Sequence, residues 1–229
     1  MVKALVLLSG GLDSSVCLGL AVDKYGAGEV LALSVFYGQK HDKELKASEK
    51  IASHYNVQRI TLDLGEIFKD SNCSLLTGSG VDIPHEEYSE QLLKTNGAPV
   101  NTYVPFRNGL FLSSAASVAL SHGCEVIYYG AHADDAAGNA YPDTSIEFNN
   151  SMADAIYVGS GKALRIEAPF IDKPKAEVVK EGMRLHVPFE LTWSCYEGHD
   201  KACGVCGTCR DRIKAFEING LKDPVEYEV

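Results

Sequence analysis

The chain has 229 residues, 45% of them hydrophobic and 23% charged, a composition that fits a globular protein with an ordinary core and excludes a disordered or fibrous one. That length suits one α/β domain with a small addition. A net charge of −10, from 31 acidic and 21 basic residues, speaks against a nucleic-acid partner, which needs a basic surface, and favours a small-molecule substrate.

The nearest local basic candidate is the set Lys201, Arg210, Arg212 and Lys214. No apolar stretch approaches the roughly 18 residues of a membrane span. The first residues enter a strand without a basic-then-apolar leader, so the expected compartment is the cytoplasm and no membrane partner is expected.

Ala4-Leu5-Val6-Leu7-Leu8 is an apolar run that reads as a buried parallel strand. It stops at Ser9-Gly10-Gly11, and Asp13 and Ser14 then open an amphipathic stretch carrying Val16, Leu20 and Ala21. Strand, glycine turn and helix start together point backbone N–H groups at an anion, with phosphate the natural choice. The segment lacks both the Gly-x-x-x-x-Gly-Lys-Ser/Thr of a Walker loop and the Gly-x-Gly-x-x-Gly of a dinucleotide site.

Glu29-Val30-Leu31-Ala32-Leu33-Ser34-Val35-Phe36 reads as a second strand, ending at Tyr37-Gly38-Gln39. A charged helix over 42–55 follows, with Leu45, Ser48, Ile51 and Ala52 inward. Arg59-Ile60-Thr61-Leu62-Asp63-Leu64 is a third strand, and 65–102 reads as a long loop of weak periodicity, a length usually tied to function. A helix over 108–123 carries Leu110, Leu112, Ala116, Val118, Ala119 and Leu120. A fourth strand at 125–129 ends in Gly130, a helix covers 147–159, and a fifth strand spans 164–168. The last amphipathic stretch, 175–185, places Ala176, Val179 and Met183 on one face.

Strands alternating with helices predict a doubly wound, Rossmann-like parallel sheet, because parallel neighbours need crossover connections. Ligands of such sheets collect outside the carboxyl ends of the strands. Ser9-Gly10-Gly11, Tyr37-Gly38-Gln39 and Gly130-Ala131-His132 should therefore converge on one crevice. Residues 1–186 are assigned to this α/β domain and 187–229 to a C-terminal metal-binding helical segment.

Of seven cysteines, Cys17, Cys73 and Cys124 stand alone, whereas the others read Cys195-x7-Cys203-x2-Cys206-x2-Cys209. In a cytosolic protein such a cluster points to a metal rather than a disulfide framework. Four thiolates can close a tetrahedral zinc site with no open position for water, a structural arrangement. An iron–sulfur cluster and a redox dithiol compete with that reading, but Ile213 stands where a bacterial ferredoxin motif needs its next cysteine.

Tyr103-Val104-Pro105-Phe106-Arg107-Asn108 leads into an apolar helix. Arg107 can fork onto a carboxylate or phosphate and Asn108 can cap the helix, although a plain cap beside a surface arginine is the stronger reading of these residues alone. Gly130-Ala131-His132-Ala133-Asp134-Asp135 through Tyr141-Pro142-Asp143-Thr144 is rich in groups that bind metals or sugars, and composition alone fits a solvated loop as well.

Ser9-Gly10-Gly11-Leu12-Asp13-Ser14 resembles the PP-loop of ATP pyrophosphatases, which cleave ATP to AMP and pyrophosphate. Together with Tyr37-Gly38-Gln39-Lys40-His41, Val104-Pro105-Phe106-Arg107-Asn108, Tyr141-Pro142-Asp143 and the four cysteines, it occurs in the order seen in the 7-cyano-7-deazaguanine synthases. That resemblance covers almost the whole chain. It implies ATP-dependent conversion of 7-carboxy-7-deazaguanine and ammonia to the nitrile, in queuosine and related 7-deazaguanine synthesis, with Mg²⁺ accompanying ATP. It further implies one structural zinc per chain on Cys195, Cys203, Cys206 and Cys209, and leaves room for a homodimer.

By the same resemblance Leu8, Ser9, Gly10, Gly11, Leu12, Asp13, Ser14 and Ser15 bind ATP, and Ser9, Asp13, Ser14 and Arg107 carry catalysis. Tyr37, Gln39, Arg107, Asn108, Asp134, Asp143 and Lys173 are expected near the substrate, with Asp135 and Lys175 as further candidates. The chain has no spare length for a glutaminase domain, so ammonium or a separate donor must supply nitrogen. Many family members carry glycine where Phe106 stands, and cysteine then arginine where Thr144 and Ser145 stand. A tRNA-modifying PP-loop enzyme, such as a thiolase, is the rival reading.

Overall fold

A computed structural model describes the backbone of residues 1–229 and every side chain except those of Ser89, Ala137 and Asn139. Five strands form one all-parallel sheet in the order β3-β2-β1-β4-β5. They are β1 (Ala4–Leu7), β2 (Val30–Phe36), β3 (Gln58–Asp63), β4 (Val126–Tyr128) and β5 (Arg165–Glu167). The helices are α1 (Leu12–Tyr25), α2 (Lys43–His54), α3 (Tyr88–Lys94), α4 (Arg107–Ser121), α5 (Ile146–Gly159), α6 (Lys175–Arg184) and α7 (Gly207–Ile218). Among the described residues no helix is long and apolar enough to cross a membrane.

The alternation of side chains along a strand builds two cores. Ala4, Val6 and Leu8 of the central strand and its extension face α1, α6 and α7, where Val16, Val178, Val179 and Phe216 are buried with them, as is Phe189 from the segment between α6 and α7. Leu5, Leu31 and Ile127 point to the other face, against Leu112, Ala115 and Ala119 of α4 and Ile156 of α5. The doubly wound sheet expected from the sequence is therefore present. Leu8 falls outside β1 but continues its pattern, its N–H donating to the Leu33 carbonyl at 2.8 Å.

Three local expectations are corrected. The stretch 65–102 is not a plain loop, because it contains the short helix α3. α6 buries Lys175, Val178, Val179 and Gly182 in place of the face expected from Ala176, Val179 and Met183, and Met183 is exposed. The reason is Gly182, whose missing side chain admits the Phe189 ring: a Cβ there would lie 2.3 Å from that ring. Asn108 does not cap α4 but sits in its first turn, where its N–H donates to Asp143 Oδ2 at 2.8 Å. The cap thus comes from a carboxylate on another loop.

α7 is tied down by a buried ion pair. Arg212 donates from Nε to Asp223 Oδ2 at 2.7 Å and from Nη2 to Oδ1 at 3.0 Å. The same guanidinium also reaches Thr192 Oγ1 and the Phe189 carbonyl. Removing one partner of such a pair strands the other charge out of water. Asp223→Ala is expected to destabilise the metal-loaded protein by about 3–5 kcal/mol, read from the midpoint of urea unfolding, and a loss well under 1 kcal/mol would show that the pair does not fasten α7.

Candidate active site

The chain leaves β1 toward β2 and β3, then returns to the other side of β1 for β4 and β5. This places the strand-order reversal, where doubly wound sheets bind ligands, at the carboxyl ends of β1 and β4. Two glycines make the approach there close enough. Gly10 adopts φ +92°, and a Cβ on it would lie 2.2 Å from the Glu44 carbonyl of α2. A Cβ on Gly130 would meet the backbone of Asp13 and Ser14 at 2.9 Å. No side chain caps α1, so its first-turn N–H groups are available to an anion.

Ser9, Gly11, Asp13 and Ser14 line one cleft together with Tyr37, Gln39, Arg107, Asn108, Gly130 and Ala131. The three strand-end segments therefore converge, as the topology requires. Ser9 Oγ lies 3.0 Å from Ser14 Oγ and accepts from the Gly11 N–H at 3.1 Å. Leu8 lines the cleft as well. Gly10, Leu12 and Ser15 stand behind it, with the Ser15 hydroxyl bonded to the Gly11 carbonyl at 2.8 Å.

Asp13 sits in a charged cluster. Its Oδ2 accepts from Lys175 Nζ at 3.0 Å, and Lys175 is 6% exposed. Burial opposes ionisation of Asp13, but Lys175 and His132 outweigh it and hold the carboxyl below its usual range. Burial likewise opposes charge on Lys175, yet Asp13 and Asp135 raise it above the ordinary lysine value. His132 Nε2 lies 3.0 Å from Lys175 Nζ and 3.3 Å from Asp135 Oδ1. Asp13 Oδ1 is buried with no hydrogen-bond partner.

Across the cleft, Arg107 opens α4, stacks its guanidinium over Tyr37 at 5.2 Å and Phe111 at 5.9 Å, and donates to Tyr37 Oη at 3.2 Å. Burial opposes its charge, but Tyr37, Asp143 and Glu44 keep it fully protonated. Gln39 Oε1 accepts from the Tyr37 N–H at 2.8 Å and so holds the turn after β2. A third wall consists of phenols: Tyr196 Oη lies 3.0 Å from Tyr88 Oη and 3.1 Å from Tyr141 Oη, and Thr102 Oγ1 lies 2.6 Å from Tyr141 Oη. Burial raises all three phenols, which keeps them neutral donors and acceptors.

Lys173, Asp134 and Asp143 are not brought into this lining. Lys173 is exposed, its Nζ over Phe170 at 5.8 Å. Asp134 accepts from the Lys175 backbone N–H at 2.8 Å. Asp143 spends both oxygens on Asn108. Phe106 also lies outside. It holds φ +54° at the N-terminus of α4, 56% exposed, with its ring edge-on to Phe148. A left-handed position favours glycine, which accounts for the glycine common there in the resembling family. Thr144 lines the cleft, and Ser145 caps α5 by accepting from the Phe148 N–H at 3.1 Å.

The four clustered cysteines are buried and unpaired, and one ligand atom from each lies within 4.8 Å of the others. Three backbone N–H groups, of Glu197, Cys203 and Cys206, donate to their sulfurs at 3.3 Å. Such a set can hold a metal ion. It stands at the rim of the cleft, since Ser194, Cys195, Tyr196, Thr208 and Asp211 are also lining residues. The Trp193 N–H donates to the Gly10 carbonyl at 2.9 Å and joins the cysteine segment to the loop after β1.

Glu44, Asp211, Tyr88 and Tyr196 are lining residues that the sequence reading missed. For Glu44 the one signal in the sequence is its position in the first turn of the helix that follows the second strand end. Burial pushes its carboxyl up to about 7 from 4.5, only partly offset by Arg107. A carboxyl raised by folding costs nothing below its unfolded value and destabilises progressively as pH climbs to the folded one. Glu44→Gln should therefore gain stability relative to the parent between about pH 4.5 and 7 and hold that gain above. Thermal melting across that range checks it, and a difference independent of pH would contradict it.

A model of the queuosine biosynthesis protein QueC family matches residues 3–220. The chain is 44% identical over 227 residues to a 7-cyano-7-deazaguanine synthase of Oceanobacillus iheyensis, covering 98% of each chain. It is 42% identical over 224 residues to one of Archaeoglobus fulgidus, covering 97% of this chain and 89% of that one. Among solved structures, the U34-tRNA thiolase NcsA of Methanococcus maripaludis, with its 4Fe–4S cluster, superposes with a TM-score of 0.52 at 16% identity, over 95% of this chain and 67% of that one. The NMN synthetase of Francisella tularensis superposes with a TM-score of 0.52 at 17% identity, over 96% of this chain and 78% of that one. These two likenesses concern the fold alone.

Proposed function

The chain belongs to the queuosine biosynthesis QueC family, and on that premise we propose that it is an ATP-dependent, nitrile-forming ligase that makes 7-cyano-7-deazaguanine in the cytoplasm. The supporting observation is one cleft that holds the uncapped start of α1, with Ser9, Asp13 and Ser14, opposite the half-buried Arg107. The substrate is 7-carboxy-7-deazaguanine, and ammonia supplies the nitrogen. Residues 1–186 supply the nucleotide loop and most of the cleft, and 187–229 bind the metal and add Ser194, Tyr196, Thr208 and Asp211 to the cleft wall.

A carboxylate resists attack because its leaving group is oxide. Its oxygen attacks the α-phosphorus of ATP, pyrophosphate leaves, and the acid becomes an acyl adenylate. Ammonia displaces AMP to give the amide. The amide oxygen then attacks a second ATP, pyrophosphate leaves again, and expulsion of AMP with loss of protons forms the nitrile. Both activations need the same grip on pyrophosphate. The hydroxyls of Ser9 and Ser14 and the first-turn N–H groups of α1 supply donors, and Lys175 adds a fixed positive charge beside Asp13. Mg²⁺ bound with ATP would neutralise phosphate charge, and the unpartnered Oδ1 of Asp13 and the Asp135 carboxylate are oxygens suited to it. Arg107 offers the planar fork that fits a carboxylate.

Zinc is the metal we assign to the cysteines. A closed shell of four sulfurs with backbone N–H donors fits a structural ion.

Incubation with ATP, ammonium and the carboxylated deazaguanine should give the nitrile by mass spectrometry, with AMP and pyrophosphate as the nucleotide products. ADP and inorganic phosphate as the only products would sink the mechanism. Asp13→Ala should lower turnover by at least about 10²-fold, the scale of losing a preorganised charge at the reacting phosphate.

Elemental analysis should find about one zinc per chain. Cys206→Ser should lose both metal and folded protein, because binding and local folding are linked. An iron–sulfur absorption band in protein prepared without oxygen, or a stable, active Cys206→Ser variant, would refute the assignment.

A further inference from the structure

Glu44 and Asp211 are the two carboxylates of the cleft that the reaction above leaves without a task and that, among the described residues, make no hydrogen bond or ion pair; of the two, Glu44 is the one that faces Arg107. Asp13 is bonded to Lys175, and Asp135 lies against His132. Asp211 faces Lys175 electrostatically. Glu44 lines the cleft from the first turn of α2, and among the described residues its carboxylate makes no hydrogen bond or ion pair. Its backbone packs on Gly10, so its side chain stands beside the loop that would hold the phosphates.

Arg107 is near enough for each group to shift the other's ionisation, yet the two do not pair. The guanidinium has five N–H donors, and its hydrogen bond to a side chain is the one to Tyr37. Two opposite charges, held apart over one cleft and both undersatisfied, fit a ligand that bridges them. Such a ligand must show hydrogen-bond acceptors to Arg107 and, on the adjoining edge, donors to Glu44. Tyr37 and Phe111, with ring centroids 5.7 Å apart, supply flat apolar surface beside them.

The edge of a guanine-type base has this order: the O6 acceptor, then the ring N1–H, then the exocyclic amino group. A 7-carboxylate adds another acceptor on the O6 side. Adenine does not fit, because its amino group adjoins an acceptor nitrogen and it has no adjacent pair of donors. Ammonium does not fit either, because it offers nothing to Arg107.

Resting on the functional reading above, we propose that Glu44 is the residue that selects the guanine-type base. Its two oxygens accept from N1–H and the exocyclic amino group, while Arg107 takes O6 and the neighbouring carboxylate. Glutamine at 44 keeps the shape but replaces one acceptor with an N–H₂ that opposes a donor of the base.

The test compares the normal acid with the same heterocycle lacking its exocyclic amino group, in wild type and in Glu44→Gln. A site built to accept from an N–H rejects the analogue without it. Wild type should lose on the order of 10²-fold or more in kcat/KM on the deaminated acid. Glu44→Gln should fall by a similar factor on the normal acid, mainly through KM, and distinguish the two acids by less than about threefold. Its AMP release in the presence of saturating acid confirms an intact nucleotide site.

A wild type that converts both acids equally well overturns the role of Glu44 and leaves the nitrile-forming reaction standing, with or without a folded variant. A Glu44→Gln enzyme that keeps the wild-type KM and discrimination overturns it too. A wild type that converts neither acid removes the functional reading and this assignment with it.

Discussion

The contact on which the site depends is the ion pair between Asp13 at the start of α1 and Lys175 at the start of α6, 3.0 Å long. Taking an ammonium out of water is expensive, and the pairing carboxylate with the nearby Asp135 offsets it. The pair fixes α6 against the loop after β1, and α6 in turn packs on α7 and the core under β1. It also fixes protonation: Asp13 stays ionised and Lys175 stays charged in the same cleft. Phosphate oxygens entering the proposed site would find a positive charge already held in place, with little reorganisation left to do.

The cysteine segment serves the same cleft from the other side. Trp193 donates through its backbone to Gly10 and through Nε1 to the Cys195 carbonyl, at 2.9 and 2.8 Å. Tyr196, next to Cys195, accepts through its carbonyl from the Nε2–H of His41 at 2.9 Å, and it adds its phenol to the cleft wall. A metal ion among those sulfurs would hold the wall in register with the phosphate loop. Its distance from the chemistry does not make it irrelevant to turnover, because metal and local folding are one equilibrium.

Much of this was legible in the chain. Alternating apolar runs and amphipathic stretches fix the sheet, and the glycine pair after the first run marks the loop that lines the cleft. The failures have physical causes. α6 was read one face off because Gly182 looks like a non-core residue until Phe189 fills its place, and Met183 looks like a core residue although it is exposed. With the true stripe of Lys175, Val178, Val179 and Gly182, a buried lysine at the helix start would have been visible. Glu44 reads as ordinary surface charge in a Lys-rich helix, since nothing local reveals that its first turn abuts Gly10. The Asn108–Asp143 cap joins residues 35 apart, and no helix-start signal contains its partner.

Fold likeness to a tRNA thiolase and to an NMN synthetase leaves the substrate open, because one architecture hosts many chemistries. The charges of the cleft narrow it. Asp13, Glu44, Asp135 and Asp211 stand there against Lys40, Arg107 and Lys175, and Lys175 is already engaged by Asp13. A nucleic-acid strand brings a row of phosphates and asks for cations along its whole length, which these carboxylates would repel. A nucleotide that arrives with its own divalent cation meets no such penalty, since the ion supplies the positive charge that the protein withholds. In the proposed reaction the acidity of the chain, −10 overall, would in this way favour a metal-complexed nucleotide over a bare polyphosphate strand.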